Sequence, residues 1–178
     1  MSKKILTYIF IILFVIVIFL LQIYLIDSRT LFGVKPNLIL ISVITISLWY
    51  GLYVGAFYSA IIGIMADLIF GSANGQFLIC YAVTGTIIGF LNYNYRKENK
   101  NSLLYVTVLA TAIFEFTQSV IYIFEMNSFV NFFYLLKQIV ISSLLNICIA
   151  YIIYGLLYKI SEKIDDNLNE KINYGSLR

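Results

Sequence analysis

The chain has 178 residues, 61% hydrophobic and 12% charged, with a net charge of +3. A soluble domain carries about 25% charged residues, so this one lacks the charge to cover a water-facing surface and reads as an integral membrane protein. It contains no histidine, which excludes histidine triads and His-ligated zinc, and its scattered basic residues form no stripe for nucleic acid.

Lys3 and Lys4 precede an apolar run over residues 5–26. The run exceeds the ~7–15 residues of a signal h-region, and Asp27-Ser28-Arg29 follows it instead of a small-x-small cleavage site, so an uncleaved first span is expected. A spanning helix needs about 20 mostly apolar residues. Further spans are expected over 36–50, 52–70, 76–95, 103–124 and 132–158. Between 37 and 66 no charge occurs, and Trp49-Tyr50-Gly51-Leu52-Tyr53 interrupts the run. A glycine among interface-favouring rings predicts a close hairpin, with short or tilted second and third helices. The fold class is therefore all-α, a compact bundle of six transmembrane helices, or five if one long element is kinked. Over 159–178, Ile160, Ile164, Leu168 and Ile172 recur every fourth residue among charges. That spacing predicts an amphipathic cytoplasmic tail or a solvated terminus.

With six spans and an inside N-terminus, the inner set of basic residues is Lys3, Lys4, Arg96, Lys97, Lys100, Lys159, Lys163, Lys171 and Arg178. The outer set is Arg29, Lys35 and Lys137. Nine against three places both termini in the cytoplasm of a multi-pass protein. Cys80 and Cys148 lie deep in apolar runs and are expected to be small buried hydrophobes.

Gly51, Gly55, Ser59, Gly63, Asp67, Gly71 and Gly75 follow one another at four-residue spacing. Helices in a bilayer associate by close packing, and small residues let their backbones approach. Gly51, Gly55, Ser59 and Gly63 supply such a groove, and Gly85 and Gly89 a matching one on the next helix. The grooves serve either internal packing or a partner helix. Asp67 is expected to turn toward the Gly71–Gly75 segment, accepting N–H bonds or capping the following helix; a partner, ligand or ion is the other reading. Thr107, Thr111, Glu115 and Ser119 form a polar row beside Gln118, and Gln138, Ser142 and Asn146 form another. The two rows are expected to face each other, with Glu115 bonded across the pair or contacting a ligand or partner. No catalytic set, metal cluster or cofactor motif is present in the sequence.

Lys35-Pro36-Asn37-Leu38, Gly51 and Gly55, Gly63-Ile64-Met65-Ala66-Asp67-Leu68, and Gly71 with Gly75 together resemble the rod shape-determining protein family MreD. Leu78, Tyr81, Gly85 and Gly89 continue the pattern, which covers about residues 35–91. Met65 and Ala66 stand where the family commonly has leucine or phenylalanine, and Glu115 lies outside the pattern. The resemblance implies a non-enzymatic scaffold of the cell-wall elongation machinery in the bacterial cell membrane. Its implied partners are an MreC-type bitopic membrane protein, the MreB filament, a SEDS-family glycan polymerase, a class B penicillin-binding transpeptidase and membrane lipid. Family members also look like the six-helix substrate-binding subunits of energy-coupling-factor transporters. That likeness makes a vitamin-type transporter subunit the alternative function, with Glu115, Gln118 and Asn146 around a solute.

Overall fold

The computed structural model describes residues 15–24, 33–71, 74–94, 100–127 and 131–152. Among them are five helices and no strand: α1 (Val15–Tyr24), α2 (Leu38–Phe70), α3 (Gln76–Phe90), α4 (Lys100–Met126) and α5 (Phe132–Ile152). A short 3-10 turn, Leu91–Asn94, follows α3. α2, the segment Leu103–Met126 of α4, and α5 are long and apolar enough to cross a membrane. The expected tail over 159–178 and the basic pair Arg96 and Lys97 lie outside the described residues.

The sequence separates a second and a third helix at Gly51; the structure joins them in one 33-residue element. Gly51 sits inside it at φ 82°, ψ −170°, a backbone region essentially restricted to glycine. There the chain doubles back. Tyr58 Oη donates to Ser42 Oγ at 3.3 Å, whereas residues sixteen apart on a straight helix are about 24 Å apart. A Cβ built on Gly55 would lie 2.8 Å from Ser47 Cβ. The two arms of α2 are thus antiparallel and in backbone contact. The break frees the Leu48 carbonyl, which accepts a hydrogen bond from Asn92 Nδ2 of the 3-10 turn. The expected six separate helices therefore become five, one of them folded on itself.

Asn37 starts α2. Its side chain accepts from Leu40 N–H at 2.9 Å, an N-cap bond to the third helical residue. The first arm is buried almost all round; Ile39, Leu40, Val43, Ile44 and Leu48 are at most 1% exposed. A helix apolar on every side belongs at the centre of a bundle. Phe19 and Phe70, Phe70 and Phe77, Phe77 and Tyr81, and Tyr81 and Phe114 continue that core as a chain of ring contacts. The fourth expected span, 76–95, ends as α-helix at Phe90, where Leu91–Asn94 tightens into the 3-10 turn. α4 and α5 leave Phe116, Phe124, Phe133 and Ile152 exposed, as suits side chains facing lipid.

Candidate functional site

The small-residue row is occupied by the chain itself. Gly51, Gly55, Ser59, Gly63, Gly85 and Gly89 are all buried. A Cβ on Gly89 would lie 2.9 Å from Leu52 Cα, and one on Gly85 would collide with the Ser59 side chain. On Gly63 it would lie 2.5 Å from Leu78 Cα. These residues hold the second arm of α2 against α3, while Gly55 holds it against the first arm. The geometry brings all six residues into internal packing and leaves none presenting a groove outward.

Gly63 and Asp67, one turn apart on the second arm, act on the same target. The close approach at Gly63 brings the first turn of α3 beside the Asp67 carboxylate. Phe77 N–H donates to Oδ1 at 2.9 Å and Leu78 N–H donates to Oδ2 at 2.9 Å. Gly75 occupies the N-cap position and has no side chain to offer; Asp67 supplies the cap from the neighbouring helix. A carboxylate there also meets the positive end of the helix dipole. Gly71 closes α2 at φ 73°, and Gly75 opens α3 at φ 69°.

A second set of polar bonds ties the bundle together around Asn37. Its backbone N–H donates to Asn146 Oδ1 at 2.9 Å, and Tyr81 Oη donates to Asn37 Oδ1 at 3.0 Å. Asn146 Nδ2 donates in turn to Thr111 Oγ1 at 3.1 Å. On the other side, Gln22 Nε2 donates to the Pro36 carbonyl at 3.1 Å, while its Oε1 accepts from Leu38 N–H at 2.7 Å. Pro36 and Asn37 thus sit where α1, α2, α3 and α5 meet. One turn from Thr111, Glu115 accepts from Ser142 Oγ at 2.7 Å and from Gln138 Nε2 at 2.8 Å. The rows on α4 and α5 thus face each other through three bonds, one at Thr111 and two at Glu115.

Gln22 and Tyr81 do not stand out as polar anchors in the sequence. The signal for Gln22 is that it is the only side-chain amide in the run over 5–26. Tyr81 lies among apolar residues and reads as core until its hydroxyl finds Asn37. Cys80 is buried, but Cys148 is exposed on α5, so the expectation of burial is corrected there: it lies on the side of α5 away from the buried Asn146 and Ala150. Above Glu115, α4 and α5 part. A cavity of about 600 Å³ opens between them, lined by Gln76, Glu115, Gln118, Tyr122, Tyr134 and Gln138 among others. A smaller one of about 270 Å³ reaches Glu115 from the Gln22 and Asn37 side.

A family model described as rod shape-determining protein MreD matches residues 2–160, nearly the whole chain. No curated protein and no solved structure matches the chain. The expected likeness to energy-coupling-factor transporter subunits therefore has no support.

Proposed function

The chain belongs to the MreD family of rod shape-determining proteins, and on that premise we propose that it is a non-enzymatic membrane scaffold of the cell-wall elongation machinery. The observation that carries this reading is the family match over residues 2–160. The site geometry supports it. Both membrane-embedded acids that the sequence singles out bond within the bundle: Asp67 caps α3, and Glu115 joins α4 to α5.

In this proposal the chain crosses the cell membrane six times, counting the two arms of α2 separately, with both termini cytoplasmic. The basic residues support it, nine inside against three outside. The first arm needs little lipid-spanning length because it is enclosed by protein. An MreC-type bitopic protein is the proposed direct partner, with the MreB filament, SEDS-family polymerase and class B transpeptidase in the wider assembly. Recognition then uses side chains on outward faces, since the glycine groove is filled.

The test is capture. Affinity-tagged protein, solubilised from its own membrane, is expected to bring down a single-span partner and the transpeptidase at fixed ratio. Retrieval of the intact tagged protein with neither partner, by gentle detergent and by in-membrane cross-linking alike, contradicts the scaffold role.

A further inference from the structure

We propose that the cavity between α4 and α5 binds the saccharide head of a membrane glycolipid, because a carboxylate, unpartnered amides and tyrosine rings converge there where α3 and α5 begin. Its volume of about 600 Å³ lies within the ~300–1,000 Å³ of small-ligand sites. Glu115 lies at its inner end, and both groups bonded to its carboxylate, Ser142 Oγ and Gln138 Nε2, are neutral. Each carboxylate oxygen keeps room for a further donor.

Gln76, Gln118, Tyr122 and Tyr134 also line the cavity, and none has a hydrogen-bond partner among the described residues. Gln76 and Gln118 are half-buried, so their amides converge on the cavity with donors and acceptors free to meet a bound polar head.

The donor set selects the ligand. An amide both donates and accepts, and so does a sugar hydroxyl; a carboxylate accepts from hydroxyls in the same way. A phosphate-bearing head would bring its negative charge toward Glu115. A lone quaternary ammonium has no donors and leaves the amides unpaired. Tyr122 and Tyr134, 45% and 61% exposed, stand at the rim, where their rings offer apolar faces to a sugar. On the same two helices Phe124, Phe133 and Leu136 are exposed, as suits contact with an acyl chain.

The test uses the full chain, purified in dodecyldimethylamine oxide and placed in phosphatidylcholine nanodiscs, with binding read by native mass spectrometry. The probes are diglucosyldiacylglycerol, phosphatidylglycerol and free maltose. One diglucosyl lipid per chain is expected, held at least tenfold more tightly than phosphatidylglycerol. Gln118→Leu breaks no bond seen within the protein and is expected to weaken that binding at least tenfold. Phe57→Ala, on the remote outward face of α2, is expected to leave it unchanged. Displacement by maltose supports the proposal with the sugar alone as sufficient ligand; retention despite maltose supports it with the whole glycolipid. Equal retention of the glycosylated, phosphatidylglycerol and phosphatidylcholine lipids overturns the proposal, as does undiminished binding by a folded Gln118→Leu protein.

Discussion

Gly63 and Asp67 work as a pair, and the pairing gives their four-residue spacing its use. Gly63 lets the α3 backbone come within contact distance, and Asp67 then takes two N–H bonds that no local side chain is placed to take. Asp67→Ala should cost about 1–2 kcal/mol of stability, read by reversible unfolding in mixed micelles. Gly63→Ala places a Cβ against backbone and should cost about 1–3 kcal/mol. A methyl on Gly71 meets nothing within 4 Å, so Gly71→Ala should cost only the left-handed strain, about 1 kcal/mol. Because displacing α3 already breaks the Asp67 bonds, the double change Gly63→Ala with Asp67→Ala should cost less than the sum of the two. Strict additivity would show that the two residues act separately. Glu115 has the same character on α4. Glu115→Leu strands Ser142 and Gln138, at about 1–3 kcal/mol for each unpaired group, whereas Glu115→Gln keeps an acceptor and should lose less. Equal stability of the two variants would contradict the bonding described. The capping option for Asp67 and the facing of its polar rows with Glu115 were readable from residue spacing. The bond from Asn37 to Asn146, 109 positions away, was not, because nothing local in a single sequence marks such a pairing.

At the scale of elements, α2 shows how one spacing serves two neighbours. Positions four apart on a helix drift by about 40° per step. The row therefore winds: Gly55 faces Ser47 on the first arm, and Gly63, two steps on, faces Leu78 on α3. The break at Gly51 was readable because a glycine sits among interface-favouring rings; that Asn92, 44 positions on, takes up the Leu48 carbonyl was not. Ser42→Cys with Tyr58→Cys, in a chain whose native cysteines are replaced, should be joined by a short bismaleimide reagent. A straight α2 would hold the two about 24 Å apart, and the absence of a cross-link would contradict the hairpin. Gly55→Leu should destabilise the fold and weaken partner capture together. Loss of capture with unchanged stability would return the row to a partner-binding role.

For the whole molecule, composition alone established the membrane class, and ordered motifs over about residues 35–91 suggested the family that the match over 2–160 then showed. The second half of the chain carries that membership without a motif visible to the eye, because its information is spread over hydropathy and paired polar rows. The same distribution makes α4 and α5 a loosely closed pair with a cavity, while α2 and α3 are locked by glycine contacts. The bundle thus has a closely packed half and a half that holds a cavity. Reporter fusions should place both termini and the Gly51 turn on the cytoplasmic side and the Gly71–Gly75 segment outside. The most direct measurement is depletion of the protein in its host, with cell outlines followed by microscopy and wild-type protein resupplied. Rods should widen and round up as the protein is lost and recover when it returns; cells that keep dividing as normal rods after complete depletion would contradict a role in rod shape.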